Sequence, residues 1–311
     1  MTSTVRYTLP SADGQNTLSG LALVPDTPRA CLELSHGMAE HTERYLPFME
    51  YLAQNGILVF GHDHIGHGRS VSSSKDLGYL PMKNGEKTVV SDILSDAKRM
   101  KAEHPQLPLF LFGHSMGSFI ARLAAAEDAD GIYSGVILSG TGGPTSGVDA
   151  GILLIRLIAA FRGERGYSDF LQNVIFGSYN RRCPGRTEFD WLSRDDKAVD
   201  AYLADPLCGY RFPITGLYVL SCLTRDANRS KTFSATRTAL PVLLMSGEED
   251  PVGGYGAGVR KVSDAYRQAG CKEVGLRLYP GARHEPHNET NRSDVYADIL
   301  AWICANSGSE R

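Results

Sequence analysis

Short runs of consecutive apolar residues recur along the chain, and longer stretches with apolar residues every three or four positions separate them. Continuous apolar runs of this length are typical of strands that a parallel sheet buries on both faces, whereas the longer period indicates amphipathic helices such as ERYLPFMEYLAQNG. The runs predicted as strands are residues 32–36 (LELSH), 57–63 (ILVFGHD), 109–115 (LFLFGHS), 135–140 (GVILSG), 241–247 (PVLLMSG) and 274–281 (VGLRLYPG).

The beginning and the middle of the chain depart from this alternation. Two runs near the start, VRYTLPS and TLSGLALVP, flank ADGQN and predict an antiparallel hairpin at the sheet edge. From about residue 142 to residue 232 the pattern is helical and aromatic, with no convincing strand. We therefore predict an α/β fold: a mostly parallel sheet with a core of residues 1–141 and 233–311, and a helical cap of residues 142–232. The cap is inserted after the sixth strand, where open α/β sheets bind ligands.

Composition and charge narrow the class of function. The 311 residues are 42% hydrophobic and 22% charged, which is ordinary for a globular protein, and the formal net charge is −3. This balance gives no basic stripe for nucleic acid and no polybasic run for an anionic membrane, so we expect a neutral or small-molecule partner. The N-terminus lacks the apolar core of a signal peptide, and the six scattered cysteines fit free thiols; both favour a cytoplasmic protein.

The segment GHSMG, residues 113–117, lies between a predicted strand and a predicted helix. A sharp strand-to-helix turn of the G-x-S-x-G type needs its glycines for close backbone packing and projects the serine Oγ into a cleft. Ser115 is therefore the predicted nucleophile, and the N–H of Met116 is a predicted donor to an oxyanion. A serine that only caps the helix after a tight turn is the alternative.

A serine nucleophile needs a base, and the base needs an acid that orients it. In this architecture the acid and then the histidine follow the serine in the chain, each just beyond a strand. Asp250 follows the run PVLLMSG and is the predicted acid, with Glu248 and Glu249 as alternatives. His284 follows the run GLRLYPG and is the predicted base, with His287 as the alternative.

The second oxyanion donor is expected in the loop after the strand LELSH, where the sequence reads HGMA. We predict the N–H of Met38 for this role, because the loop after this strand supplies the second N–H in enzymes with a serine elbow. An ordinary turn at the end of the strand is the alternative.

The stretch GHDHIGHG, residues 61–68, contains His62, His64 and His67 and resembles the H-x-H-x-D-H pattern of metallo-β-lactamase-like hydrolases. Gly66 stands where that pattern has its aspartate, and no downstream ligands complete a second site. We therefore predict no metal here. Asp63 is expected to hold the loop through backbone N–H groups, with the histidines packed near the cleft floor. A contact of His64 or His67 with the nucleophile loop remains open.

Several of these segments together resemble one family. They are HGMAEHTERY (36–45), HDHIGHGRS (62–70), LFGHSMGS (111–118), SGEEDPVG (246–253) and YPGARHE (279–285), with WLSRDDKAVDAYLADPLCG (191–209) in the predicted cap. The chain resembles the α/β-hydrolase superfamily of serine hydrolases and, within it, the bacterial members of the monoacylglycerol lipase and lysophospholipase group. The resemblance implies an α/β-hydrolase fold and a pocket for the substrate alcohol at positions that match Glu40, Arg44 and His114.

The run GILLIRLIAAF, residues 151–161, is apolar almost all round. It is predicted to line an acyl channel through Ile152 and Ile155, or to contact a lipid surface transiently with one face. Packing on the core of the protein is the alternative. Tyr210 and Trp191 are aromatic candidates for the same pocket, although aromatic residues in a helical cap often serve packing alone.

We predict a serine hydrolase that cleaves carboxylic esters of monoacylglycerol or lysophospholipid type through an acyl-enzyme, with no metal or organic cofactor. A carboxylesterase for short or aromatic esters, or an amide hydrolase, would use the same three residues and is the first alternative. A ligand-binding protein without activity is a remote alternative, because such proteins usually lose one member of the triad and here Ser115, Asp250 and His284 are all present.

Overall fold

A computed structural model of the chain, which describes residues 2–308, contains one eight-stranded sheet. The strands are β1 (Thr2–Pro10), β2 (Thr17–Pro25), β3 (Ala30–Ser35), β4 (Ile57–His62), β5 (Leu109–His114), β6 (Tyr133–Ser139), β7 (Val242–Gly247) and β8 (Val274–Tyr279). Their order across the sheet is β1-β2-β4-β3-β5-β6-β7-β8. The strands β1 and β2 are antiparallel to each other, β2 is antiparallel to β4, and the remaining pairs are parallel.

The predicted strands and the hairpin are all present, and the six runs predicted after the hairpin lie within two residues of their predicted bounds. Strands β3, β4, β5 and β7 are buried along their whole length, as their continuous apolar sequences require. The strand β8 differs, because it forms one edge of the sheet and most of its residues are only half-buried.

Helices cover both faces of the sheet. The α-helices are α1 (Leu46–Gln54), α2 (Gly85–Glu103), α3 (Met116–Glu127), α4 (Val148–Arg162), α5 (Asp169–Phe176), α6 (Asp196–Ala204), α7 (Ile214–Ala227), α8 (Ser230–Ala235), α9 (Ala257–Gln268) and α10 (Arg292–Asn306). Short 3-10 helices occur at Thr42–Tyr45, Gly68–Ser70, Ser74–Asp76, Tyr179–Arg182, Asp190–Leu192 and Pro286–Asn288. Among residues 2–308, no helix combines the length and the apolar character needed to cross a bilayer.

The apolar core forms one layer on each face of the sheet, because successive side chains of a strand point to opposite faces. Leu58 and Phe60 of β4 face the layer that holds α2, α3 and α9, while Ile57 and Val59 face the layer that holds α1 and α10. The sheet thus lies between two layers of helices. The parallel strands run in one direction, so their carboxyl ends lie at the same end of the sheet.

Between β6 and β7 the chain is helical and contains α4 to α8; these residues are all described, and none of them forms a strand. The segment leaves the sheet after β6, as the sequence predicts, and returns to it at β7. Residue bounds of 142–232 for a separate cap domain remain a prediction.

One buried side chain of α3 binds the start of this helical segment and the carboxyl end of α7 within it. Arg122 of α3 is fully buried, and its guanidinium donates to the carbonyl oxygens of Gly142, at the start of the segment, and Ala227, at the end of α7. It also donates to Asn228 Oδ1 at 3.0 Å. The carbonyl oxygens at the carboxyl end of a helix carry partial negative charge, so that of Ala227 stabilises a guanidinium whose hydrogen-bond partners among residues 2–308 include no carboxylate.

We expect Arg122→Met to lower the free energy of unfolding by about 2–3 kcal/mol, because it leaves buried carbonyl oxygens without donors. Denaturant unfolding would measure the change. The control is Arg260→Met at an exposed position of α9, which we expect to change stability by less than about 0.5 kcal/mol. Equal effects of the two substitutions would contradict this account of Arg122.

Candidate active site

Ser115 lies at the turn between β5 and α3, at the carboxyl edge of the sheet, with φ 53° and ψ −119°. This backbone conformation is strained for a residue with a side chain. The flanking glycines allow it: a Cβ on Gly117 would lie 2.0 Å from the carbonyl oxygen of Ser35, and one on Gly113 would lie 2.4 Å from the carbonyl oxygen of Gly117. The sequence therefore folds into a tight elbow that presents the Ser115 side chain to the cavity.

The side chains of Ser115, His284 and Asp250 form one chain of hydrogen bonds. His284 Nε2 lies 2.8 Å from Ser115 Oγ, and His284 Nδ1 lies 2.9 Å from Asp250 Oδ1. Asp250 follows β7, and its carboxylate also accepts hydrogen bonds from Ser246 Oγ (2.9 Å) and from the backbone N–H of Val252 (2.8 Å). These bonds fix the carboxylate, so His284 can present an unprotonated Nε2 to the serine.

The electrostatics around His284 favour its charged form. Burial alone would lower the pKa of His284, but the charge and the hydrogen bond of Asp250, together with the charges of Glu285 and Glu40, outweigh burial and raise it. The imidazolium that forms when the histidine takes a proton is therefore stabilised in place.

The alternatives for the acid and the base occupy different surroundings. Glu248 and Glu249 are exposed, whereas Asp250 is fully buried against His284. His287 is buried and stacks on Tyr45 with ring centroids 4.6 Å apart, and its two ring nitrogens have no hydrogen-bond partner among the described residues. Burial holds the pKa of His287 at about 3, so it stays neutral.

The two predicted oxyanion donors belong to segments next to the serine. Met116 is the first residue of α3, and the first N–H groups of a helix have no partner within it. Met38 lines the cavity in the loop after β3, and its neighbour Gly37 passes directly over the nucleophile, since a Cβ there would lie 3.2 Å from Ser115 Cβ. Ala39 follows with φ 54°, so this loop is held in a strained conformation.

The stretch of residues 61–68 folds largely as a buried support for this loop. Asp63 accepts hydrogen bonds from the backbone N–H groups of Thr42 (2.8 Å) and Arg69 (2.7 Å). His64 Nε2 lies 3.0 Å from Ser35 Oγ, and the backbone N–H of His64 donates to His36 Nε2.

The other two histidines of this stretch have separate surroundings. His62 contacts Asp96 at 3.1 Å, and His67 lies against the rings of Tyr210 and Phe212. Within residues 2–308, no group of three close metal-ligating atoms contains two of His62, His64 and His67.

A cavity of about 760 Å³ opens above Ser115 and His284. Apolar side chains from the core and from the helical segment line much of it: Phe119, Leu154, Ile155, Leu171, Val174 and Leu220. Of the residues predicted to bind substrate, Glu40, His114, Ile155 and Tyr210 line the cavity, as does Trp191. Arg44 and Ile152 do not, because Ile152 is buried elsewhere in α4 and Arg44 is enclosed by carboxylates.

Glu285 follows His284 directly, but no pattern in the sequence predicts a role for it. Its carboxylate forms two hydrogen bonds with Arg44, and its backbone N–H donates to the carbonyl oxygen of Leu192 at 2.8 Å. A charged residue directly next to the predicted base is the signal that could have pointed to it.

A mostly parallel sheet with a serine elbow after β5, an acid after β7 and a histidine after β8 defines the class of α/β-hydrolases. A family model described as serine aminopeptidase, S33, matches residues 26–291. The chain belongs to this family of hydrolases.

Individual relatives agree with this assignment. Monoglyceride lipase of Rattus norvegicus is 30% identical over 310 residues, which cover 95% of this chain and 89% of that protein. Monoacylglycerol lipase of Mycolicibacterium smegmatis is 30% identical over 292 residues, 91% of each chain. A thermostable carboxyl esterase from Bacillus coagulans, solved in complex with glycerol, has a TM-score of 0.90 at 30% identity, covering 97% of this chain and 98% of that one. The predicted resemblance is thereby confirmed.

We expect Asp250→Asn to reduce kcat for ester hydrolysis by about 10³–10⁴-fold, because the imidazole loses the group that fixes its tautomer. In the unsubstituted protein, activity should fall as pH drops through the raised pKa of His284, since a protonated imidazole cannot accept the serine proton. Loss of the Asp250 charge lowers that pKa, so the acid limb of residual activity should move to lower pH. Kinetics as a function of pH would measure both effects.

The matched control is Glu249→Gln, which removes an exposed carboxylate from the same loop. We expect it to change kcat by less than about twofold. If Glu249→Gln were as damaging as Asp250→Asn, the assignment of the acid would be wrong.

Proposed function

We propose that this protein is a serine hydrolase that cleaves carboxylic esters of monoacylglycerol or lysophospholipid type through an acyl-enzyme on Ser115. The hydrogen-bonded chain Ser115–His284–Asp250 at the base of a largely apolar cavity carries this proposal. The names of the rat and mycobacterial relatives support the lipid substrate.

In the proposed mechanism, Ser115 Oγ attacks the ester carbonyl while His284 Nε2 takes its proton. The N–H groups of Met38 and Met116 then stabilise the oxyanion of the tetrahedral intermediate. The imidazolium gives its proton to the departing alcohol, and the acyl group remains on the serine. A water molecule repeats the cycle on the acyl-enzyme, with His284 again as the base and Asp250 holding the imidazole throughout.

The cavity supports a substrate with a long apolar part and a small polar part. Its volume of about 760 Å³ is in the range of about 300–1,000 Å³ that ligand sites occupy. Apolar side chains of α4 and α5, such as Leu154, Ile155 and Leu171, would surround an acyl chain. Glu40 and His114 lie at the polar end near Ser115, where the alcohol would leave.

The helical segment also presents apolar side chains to solvent. Leu153 and Leu157 of α4 are more than half exposed, Phe161 is 90% exposed, and Phe170 and Val174 of α5 are also exposed. Exposed apolar side chains on helices that line the cavity support transient contact with a membrane surface, from which the ester would enter. We include this contact, a cap domain of residues 142–232 and a cytoplasmic location in the proposal.

With glycerol monoesters of two to eighteen acyl carbons, we expect kcat/KM to peak at medium or long chains, because each buried methylene adds about 0.8 kcal/mol of binding. The Ser115→Ala variant should lose at least about 10³-fold, and a chelator should change nothing. Initial rates along the series would measure both.

A peak at the shortest chains would favour the alternative, a carboxylesterase for small esters. Activity that survives in Ser115→Ala and disappears with the chelator would contradict the serine mechanism and point to the histidine-rich stretch of residues 61–68.

For the membrane contact, we expect Phe161→Asp to lower the rate on monoacylglycerol in phospholipid vesicles severalfold, because a charge opposes insertion of α4 into the interface. The rate on a water-soluble short ester should not change, since Phe161 does not line the cavity. The control is Val5→Asp at an exposed position of β1, which should affect neither rate. Equal losses on both substrates for Phe161→Asp would argue against surface contact.

A further inference from the structure

Glu285 follows the base His284 directly, and a forked ion pair holds its carboxylate. Arg44 Nη1 donates to Glu285 Oε1 at 2.8 Å, and Arg44 Nη2 donates to Oε2 at 2.9 Å. Asn288 Nδ2 adds a bond of 2.8 Å to Oε2. The side chains of Arg44 and Glu285 are only 9% and 3% exposed, so solvent screens this pair little. Two parallel N–H···O bonds fix direction as well as distance.

The same guanidinium also binds the loop that carries the proposed oxyanion donor. Arg44 Nη1 donates to Glu40 Oε2, and Glu40 Oε1 accepts hydrogen bonds from the backbone N–H of Gly37 (2.5 Å) and from Tyr45 Oη (2.7 Å). Arg44 therefore joins two loops that are 241 residues apart in the chain. One loop bears the base, and the other passes over Ser115.

The helical segment meets this pair of loops at the same place. The backbone N–H of His284 donates to the carbonyl oxygen of Trp191, and the guanidinium of Arg44 lies 4.7 Å from the ring centroid of Tyr202. The charged cluster of Glu40, Arg44 and Glu285 thus lies where the histidine loop, the oxyanion loop and the cap side of the cavity come together.

We propose that Glu285 is a positioning residue. Through Arg44 and Glu40 it holds the loop that bears His284 against the loop that bears Gly37 and Met38. The base and the oxyanion donors thereby keep a fixed geometry around Ser115. This inference rests on the proposed function, because it assigns Glu285 a part in that reaction. Glu285 acts through Arg44 and is not required to contact the substrate.

The cluster also has an electrostatic effect on the base. Burial would raise the pKa of Glu285, but the charge and the hydrogen bonds of Arg44 lower it to about 2, so the carboxylate is ionised at neutral pH. Burial raises the pKa of Glu40, and the charge of Arg44 opposes that rise. The ionised Glu285 thus places a negative charge in the residue next to His284. That charge adds to the larger effect of Asp250 in raising the pKa of His284.

The test substitution is Glu285→Gln, which keeps the shape of the side chain and leaves Arg44 paired with Glu40. We expect kcat to fall about tenfold or more while KM changes less than about twofold, because geometry and not ground-state binding is lost. We also expect the acid limb of kcat/KM to move down by about half to one pH unit, since the charge that raises the pKa of His284 is removed. A purely structural role would lower the rate without moving this limb.

A matched control lies four residues further along. Glu289 is fully buried in the same loop, and it binds Arg194 of the helical segment instead of Arg44. We expect Glu289→Gln to leave the acid limb where it is in the unsubstituted protein, whatever it does to stability. If both variants moved the limb equally, the specific role of Glu285 would be overturned.

A double substitution tests whether Glu285 and Glu40 act together through Arg44. If Glu285 and Glu40 act as one unit, the variant with both Glu285→Gln and Glu40→Gln should lose less activity than the product of the two single losses. Losses that multiply would show two independent residues and overturn the proposal. Should Glu285→Gln fold poorly in a thermal melt, Glu285→Asp keeps the charge on a shorter side chain and should lower kcat with the acid limb nearly unmoved.

The rate at which a fluorophosphonate labels Ser115 separates this proposal from the proposed function, because labelling needs the activated serine but no lipid substrate. If the unsubstituted protein is not labelled, the serine hydrolase mechanism itself fails. If it is labelled, and Glu285→Gln is labelled at the same rate with the same pH dependence, the positioning role alone fails. A tenfold slower reaction with the limb shifted to lower pH supports it.

Discussion

The site depends first on the strained backbone of Ser115. A residue with a side chain at φ 53° persists only where its surroundings leave it no alternative. Here β5 lies between β3 and β6 in the middle of the sheet, the N–H of Ser115 donates to the carbonyl oxygen of Ser139 at 2.9 Å, and α3 packs almost in contact with β3 at Gly117. The central strands thus supply the rigidity, and the serine side chain reaches the cavity at their end because the chain must reverse there within one residue.

The second constraint is the number of ionisable groups buried around that serine. Asp250, Glu40 and Glu285 are almost fully buried, which is costly for carboxylates unless each has donors. Each of them has donors: one backbone N–H and a hydroxyl for Asp250, and Arg44 for the pair of glutamates. Burial lowers the pKa of His114 and of His287, so these two neighbouring imidazoles stay neutral. The positive charge that forms when an imidazole takes the serine proton is therefore carried by His284.

Most of the fold was predictable from the sequence because its strands are local and continuous. The runs from LELSH to PVLLMSG are apolar enough to be buried on both faces, and the glycines around Ser115 mark the turn without any distant information. The three residues of the hydrogen-bonded chain could be placed because each follows a strand, and the carboxyl ends of parallel strands meet at one edge. The half-buried character of β8 could not be read in this way, since position at the edge of a sheet depends on strand order.

The sequence does not reveal which side chains pair when the two residues are far apart in the chain. Arg44 and Glu285 are 241 residues apart, and neither residue type indicates that the two side chains meet in a buried fork. The position of Ile152 had the same difficulty, because helical periodicity identifies an apolar face but not whether that face meets a cavity or another helix. Arg122 is a third example: a lone arginine in an apolar helix is not expected to be fully buried, and its partners include backbone carbonyl oxygens that no sequence pattern indicates.

The contacts of Arg122 have a consequence for how this protein can change over evolutionary time. Because one guanidinium binds both Gly142 and Ala227, the start of the helical segment and the end of α7 lie at nearly the same point on α3, as the proposed cap requires. An insertion whose ends meet can be lengthened, shortened or replaced without altering the separation or the register of the strands beneath it. The walls of the cavity are thus free to diverge while the elbow, the acid and the histidine stay fixed, so that new substrates can be accommodated without rebuilding the chemistry.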